Sequence, residues 1–594
     1  MVARAALLGL SFFSILCSAL TAGPQSSQGS EGTPRPQGAV TIRSTTRLVQ
    51  VSVVVTDKHG EPVTGLKKED FSVFDQGRSQ DISVFSTASP ASAKFNRVLP
   101  TTFFTNRFDL KGQGTGDVTI ILFDALNTSD HDQAFVRRQI FHFLQALKPQ
   151  DHIAIYALTT QLIVLQEFTQ DAAALVNAVS GFTPKELAAF DASNTPKIDV
   201  VRAGADPQWM NLQNAVNNAN AEISDRNTIN RAATTASAIE AIADHVAAIP
   251  GRKNLIWVSG GFPIQVGVPI IGRSDSFEML ADDSLASHVG PLSPTNKLTT
   301  GDRDTVSLEP VLNKAALALN RVNMSIYAVD ARGVQLDSTM NSDARGGSVG
   351  QDSSVFSAEQ NSRDSSKLLA DRTGGLAFFG NNDIGDALHH AMNDGQYSYS
   401  IGFYPDHGKW DGKVHEIRIG VKLGGARLRY RRQYIAVGYR AENEKSVDSA
   451  VQEAALNPLE ATTIGMIVEG KLVGPATRDV QLRVAIDPKQ LLLEGTHNQQ
   501  KGAIDLLFIQ RDSAGKILLA EKQHLDLKLP QAQYEFLASA GMVLEHHMSI
   551  KPQAAEIRIA VRDSGSGFLG SVTIPVQTLL QVEATTTKAP TAPN

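Results

Sequence analysis

Residues 118–129 read VTIILFDALNTS. The run Val118–Phe123 is apolar apart from Thr119 and does not alternate, so it cannot keep one face in water. A strand of this kind is covered on both faces, which places it in the middle of a parallel sheet flanked by helices. The strand stops at Asp124, and the polar side chains of Asn127, Thr128 and Ser129 follow it. Helical spacing then begins, with Phe135, Ile140, Phe143, Leu144 and Leu147 on one face.

Working outward, the same alternation continues. His152–Leu158 and Ile163–Phe168 read as strands. A helix over Thr228–Ile249 stops at Pro250-Gly251, and a strand over Asn254–Val258 runs into Ser259-Gly260-Gly261. Helix Leu308–Leu319, strand Met324–Val329, helix Ser365–Leu369, strand Leu376–Phe379 and helix Ile384–Met392 complete the series. This repetition predicts an α/β fold: a doubly wound, mostly parallel sheet with helices on both faces. Polar stretches near 183–226 and 262–304 read as insertions, and the Ser/Gly/Asp-rich residues 334–362 as a long loop.

The flanks carry strand patterns only. Residues 45–87 predict a small β domain, with Leu48–Thr56 as its first strand, and residues 88–116 a linker. Strands Tyr397–Phe403, His415–Val421 and Arg427–Ile435 are expected to add antiparallel edges to the α/β sheet, which makes 117–436 one domain. After a linker at 437–461, short strands separated by turns such as Asp563-Ser564-Gly565 predict a β-sandwich over 462–582. The tail 583–594 is low in complexity and reads as disordered.

The 594 residues allow about three to five domains, and a hydrophobic share of 42 % is enough for real cores. A net charge of −6 argues against a dedicated nucleic-acid binder. The single cysteine, Cys17, lies within Ala5–Leu20 (AALLGLSFFSILCSAL), behind Arg4 and ahead of Thr21-Ala22-Gly23. That arrangement predicts a signal peptide over 1–22, followed by a flexible linker at 23–44. An uncleaved anchor is the alternative; Leu16 argues against a lipoprotein, which needs a small residue there. Cleavage removes Cys17, so the mature chain is expected to be exported without disulfides, as in a bacterial envelope. No later run is long enough to span a membrane.

In an open α/β sheet, ligands sit at the carboxyl ends of the strands near the switch in strand order. Asp124–Ser129 and Ser259-Gly260-Gly261 fall there. A buried strand ending in Asp, then hydroxyl residues, then a strand ending in a Gly loop resembles a von Willebrand factor A domain. The chain is similar in particular to the VWFA-related proteins known mainly from Acidobacteria. The residues carrying the resemblance are VVVTDKHGEPVTGLKKEDFSVF (53–74), FDALNT (123–128), PGRKNLIWVSGGF (250–262), IYAVDARG (326–333) and DRTGG (371–375). It covers roughly residues 45–436.

The resemblance implies an interaction or adhesion role and a metal-ion-dependent adhesion site. In such a site Asp-x-Ser-x-Ser, a second-loop Thr and a third-loop Asp offer oxygens to Mg²⁺ or Mn²⁺, and a partner's carboxylate completes the shell. Asp124 matches the first acid, Thr128 keeps a hydroxyl, and Asn127 and Ser129 add oxygens. Thr234 or Thr235 offers the second-loop hydroxyl, and Asp130 and Asp132 lie close by. Two positions depart from the pattern: Leu126 cannot ligate, and Ser259 stands where the third acid belongs. The expected metal set is therefore a degenerate one, Asp124, Asn127, Thr128, Thr235 and Ser259. The alternative is that Asp124 and Thr128 only cap the next helix.

Catalytic motifs are not complete. His415-Glu416 opens an HExxH-like run that ends in Ile419, and GMIVEGK (465–471) lacks the Ser/Thr of a phosphate loop. Ser259 follows Trp257-Val258 rather than a GxSxG elbow. Three readings remain. The first is a non-enzymatic A-type protein binding a protein or surface polymer at the sheet's carboxyl edge. The second is an exported hydrolase using the Asp124/Ser259 edge. The third is an inert scaffold whose C-terminal β module does the binding.

Overall fold

The structure is a computed structural model that describes residues 48–87, 99–100, 102–111, 118–145, 152–182, 207–269, 303–332, 363–380, 384–405, 413–436, 456–474, 478–496 and 498–586. The signal segment 1–22, the linker 23–44, the whole of the loop 334–362 and most of the tail lie outside these residues.

A mixed six-stranded sheet holds the centre. Its strands are β1 (Val118–Asp124), β2 (His152–Leu158), β3 (Leu162–Thr169), β4 (Lys253–Ser259), β5 (Met324–Asp330) and β6 (Leu376–Phe378). The order across the sheet is β3-β2-β1-β4-β5-β6. All neighbours are parallel except β2 and β3, whose short connection allows only an antiparallel return. This is the doubly wound order, and it switches direction between β1 and β4.

Strand periodicity sorts the core into two faces. Val118, Ile120, Leu122, Leu255, Trp257 and Ile326 pack against α3 (Pro207–His245), α4 (Glu309–Arg321) and α5 (residues 363–373). Ile121, Phe123, Ile256, Val258 and Val329 pack against α1 (Asp130–Gln145), α2 (Ala172–Gly181) and α6 (Ile384–Gln396). Most of these strand side chains are wholly buried, each contributing about 1.5–3 kcal/mol.

The flanking strands depart from expectation. Ser398–Phe403, Val414–Val421 and Arg427–Arg429 do not extend the central sheet. They pair antiparallel with the N-terminal strands Val49–Thr56, Phe71–Asp75 and Ile82–Thr87. The result is two four-stranded sheets around one apolar cluster that includes Val51, Val53, Phe71, Tyr399, Ile401 and Ile417. The physical reason is at the edge: β6 spans only Leu376–Phe378 and offers little to pair with. Residues 45–87 are thus half of a β unit whose other half lies beyond the α/β sheet.

The supposed linker 88–116 also takes part in the fold. Phe103–Thr105 pairs with Met466–Gly474. Asn106 donates to the carbonyls of Ala461 (2.6 Å) and Ile464 (2.8 Å) and accepts from the Met466 amide (2.7 Å). Beyond it, two antiparallel sheets built mainly from residues 466–575 share one apolar cluster. Both insertions contain regular structure: α3 begins at Pro207 rather than near 228, and Gln265–Pro269 forms a hairpin with Arg303–Ser307.

Asn106 is 1 % exposed, so its removal strands three buried backbone groups. Asn106→Ala is expected to lower stability by about 2–4 kcal/mol, read as a lower urea midpoint. An unchanged midpoint would count against this link between residues 102–106 and the C-terminal sheets.

Candidate functional site

Asp124 ends β1 at the switch point and caps a short turn over Ala125–Asn127, accepting the Asn127 amide through Oδ1 at 3.1 Å. Its Oδ2 accepts three more donors: Asn127 Nδ2 at 2.8 Å, Trp257 Nε1 at 2.9 Å and Ser259 Oγ at 2.8 Å. The last two belong to β4, so one carboxylate bolts together the strands on either side of the switch. Asn127 Nδ2 also donates to Thr235 Oγ1 (2.8 Å), which ties in α3; Thr235 in turn donates to the Arg231 carbonyl. Thr128 Oγ1 donates to the Asp124 carbonyl at 2.6 Å and accepts the Gly260 amide at 3.2 Å.

Glycine is required where the two loops meet. A Cβ on Gly260 would lie 2.4 Å from the Asn127 carbonyl oxygen. Leu126, where the adhesion-site pattern has a ligand, is 3 % exposed and packs into the core. Gln133, inside α1, reaches back to the carbonyls of Ala125 (3.2 Å) and Thr128 (2.8 Å) and holds the turn in place.

All five expected metal residues come together in one hydrogen-bond network, in which Asn127 Oδ1 is buried without a hydrogen-bond partner among the described residues. Asp124, Asn127, Thr128, Thr235 and Ser259 are between 0 and 4 % exposed. Thr234 is elsewhere, donating to the Asn230 carbonyl. Ser129 and Asp132 bond each other at the start of α1, and Asp130 accepts weakly from Gln133.

This donor set does not fit a divalent cation. Mg²⁺ needs six oxygens in near-octahedral array, whereas the lone pairs of Asp124 Oδ2 face N–H and O–H hydrogens, one of them from an indole that can only donate. Among the described residues, no group of three or more His, Cys, Asp or Glu side chains is placed to hold a metal.

Burial pushes the Asp124 carboxyl above its ordinary range, and the donors from Asn127, Ser259 and Trp257 offset only part of that. The compensating charge nearby is Arg231, one helical turn before Thr235. Burial lowers its own pKa, and Asp124 pulls it back up. Sequence reasoning missed Trp257, Gln133 and Arg231. The one available signal was a tryptophan inside an aliphatic strand, whose N–H needs a buried acceptor.

The chain matches no protein-family model. No curated protein matches it. Among solved structures it is similar to an aerotolerance-related membrane protein from Bacteroides fragilis, at 9 % identity over 47 % of this chain and 99 % of that one, with a TM-score of 0.22. The von Willebrand factor domain of a type V pilus tip protein from Porphyromonas gingivalis is 11 % identical over 47 % and 94 %, at 0.24. A von Willebrand factor type A protein from Catenulispora acidiphila is 10 % identical over 63 % and 79 %, at 0.20. At these TM-scores the likeness carries no argument. The fold rests on the strand order and hydrogen bonds above.

Asp124→Ala leaves four buried donors without their acceptor and is expected to cost about 3–5 kcal/mol; Asp124→Asn keeps part of the acceptor and costs less. Urea unfolding followed by tryptophan fluorescence measures both. The raised pKa also sets a pH dependence. The native state holds the Asp124 proton more tightly than the unfolded chain, so stability falls as pH rises from the unfolded-chain pKa through the raised one. Asp124→Asn should flatten that part of the wild-type profile, and an equal slope in both proteins would refute the assignment.

Proposed function

We propose that this chain is an exported, non-enzymatic interaction protein of the von Willebrand factor A type, working at the carboxyl edge of its central sheet without a bound metal. The observation that carries this reading is the state of the switch point. Ser259 is buried and spends its proton on Asp124, and Ser129, the serine of the neighbouring loop, donates its own to Asp132, so neither donates to a histidine among the described residues. A hydrolase would need a free nucleophile and a base within reach. What the edge offers instead is a rigid, hydrogen-bonded floor in which Asn127 Oδ1 is left as a buried acceptor without a partner among the described residues.

Two elements stand over that floor. α3 runs into β4, so its C-terminal end lies at the amino edge of the sheet, while Thr235 already meets the loop at the carboxyl edge. The residues before Thr235 therefore rise about 40 Å beyond it. They expose Val216 (39 %) and Ile223 (53 %). The hairpin Gln265–Pro269/Arg303–Ser307 leaves the same edge and packs on α3. Together they form a platform suited to a protein or surface polymer. No described helix is long and apolar enough to cross a membrane, and export follows from the N-terminal segment.

Titration calorimetry with Mg²⁺, Mn²⁺ and Ca²⁺ is expected to show no binding in wild type or Asp124→Ala. Metal affinity that disappears in Asp124→Ala would restore the adhesion-type metal site. A photo-crosslinking residue at exposed Gln265 should capture a partner from bacterial envelope extract in the presence of EDTA. The same residue at Lys516, in the C-terminal β module, should not; capture at Lys516 alone would favour the scaffold reading. Turnover of esters, peptides or glycosides that disappears in Ser259→Ala would overturn the non-enzymatic reading.

A further inference from the structure

The β unit meets the α/β domain along the face of Val49–Thr56 that its own core does not use. Val49, Val51, Val53 and Val55 point into that core, so Gln50, Ser52 and Val54 lie on the opposite face. Val54 is paired with Arg429, whose guanidinium reaches over to Asp394 of α6. The turn at Gly374 packs on the backbone just beyond, where a Cβ would lie 2.7 Å from the Arg431 amide nitrogen.

Three guanidinium groups gather along this seam. Arg252, 2 % exposed, donates from Nη2 to the Tyr327 hydroxyl at 2.8 Å, and that hydroxyl donates to Asp394 Oδ2 at 2.7 Å. Arg429 donates to the same Oδ2. Arg431 has no carboxylate partner among the described residues; its Nη2 donates to the Gln50 carbonyl at 2.7 Å. Burial lowers its pKa to about 10, and Tyr434 alone pulls it back up.

All three groups have a donor left over. Arg252 Nη1, Arg429 Nη1 and Arg431 Nε are buried without an acceptor among the described residues. The Oγ of Ser52, a residue 6 % exposed, is likewise buried without a partner among them. A buried polar group left unpaired costs about 1–3 kcal/mol, and more when it is charged. Three cations sharing the one carboxylate of Asp394 also carry charge that nothing balances. Water would satisfy the hydrogen bonds and leave that charge in place. An oxyanion answers both, because guanidinium forks bind its oxygens while its charge offsets theirs. Two cations in excess call for a dianion, and donors arriving from separate strands call for oxygens in more than one plane. The Arg429 side chain is 24 % exposed, so the seam opens to solvent there.

We propose that Arg429, Arg431 and Ser52 bind a small tetrahedral dianion, sulfate or phosphate, in the seam between the β unit and the α/β domain, with Arg252 adding charge behind it. The inference goes beyond the interaction reading above and does not depend on it. Bound there, the anion is a removable part of the joint between the two modules.

The test uses the full chain and titration calorimetry with sodium sulfate and sodium phosphate, at slightly alkaline pH and at an ionic strength held constant with chloride. At least one of the two should bind saturably at a single site per chain, and the tighter of them names the ion. Affinity should fall by about tenfold or more in Arg431→Gln and by about threefold in Ser52→Ala. Acetate, which is planar and singly charged, should bind at least about tenfold more weakly; equal affinity for acetate overturns the assignment of a dianion. In chloride alone Arg431→Gln should unfold at the wild-type temperature or above it, because a buried charge without a counter-ion is gone. Sulfate or phosphate should then raise the wild-type midpoint more than that of the variant. Saturable binding of neither anion overturns the proposal. So does equal affinity in wild type and Arg431→Gln, which marks an adventitious ion only. If Arg431→Gln is less stable than wild type in chloride, Ser52→Ala decides: weaker binding supports the site and unchanged affinity overturns it.

Discussion

A carboxylate sealed from water between two strands is the constraint around which this molecule is built. Asp124 belongs to β1, two of its donors belong to β4, and its third side-chain donor, Asn127, passes the connection on to α3. An ionisable group at 0 % exposure costs several kcal/mol unless every lone pair is satisfied. The surroundings are arranged accordingly: Gly260 lets the loops touch, Leu126 fills the space beneath the turn, and Gln133 pins the turn from the helix side. Loosening any one of these leaves a charge with nowhere to go, so the two halves of the doubly wound sheet are held in one geometry.

The modules around the sheet are joined by the same means, polar groups buried in pairs. Arg252 on the approach to β4 donates to the Tyr327 hydroxyl at 2.8 Å, and that hydroxyl donates to Asp394 of α6 at 2.7 Å. Asp394 also accepts from Arg429 of the flanking β unit. Burial keeps Tyr327 far above the ordinary phenol range, so it stays a donor throughout. On the other face, His245 at the end of α3 lies 2.7 Å from the Glu460 carbonyl through Nδ1, which must carry the proton, and 3.5 Å from Glu167. Each joint is specific because a shifted partner would strand a buried donor or acceptor.

The parts that were legible in the sequence are those with strong local periodicity. Val118–Phe123, Met324–Val329 and the amphipathic spacing of α1 predicted strands and helices where they occur, and the order of elements predicted the doubly wound sheet. Pairing across long distances was not legible. Alternating Val49, Val51, Val53 and Val55 say that one face is buried, but not that the partner is Ser398–Phe403. Phe103–Thr105 is too short to stand out from its polar surroundings. At the site, chemistry-bearing residues were found but their direction was not. A carboxylate with hydroxyls at loop spacing reads the same whether the oxygens face a cation or each other. Only the positions of Trp257 and the Gly260 amide distinguish the two.

The β unit built from both ends of the α/β sheet has a consequence for biosynthesis. Gln50 and Ser400 meet across a separation of 350 residues. At a synthesis rate of 5–20 residues per second, the strand VQVSVVVT waits about 20–70 s for its partner to emerge. Throughout that interval a valine-rich segment with open backbone edges has little native to pair with beyond the short contact of Val55 and Thr56 with Pro62 and Val63. Whatever handles this chain as it emerges must keep residues 49–56 from finding a different neighbour until the whole α/β domain has been made.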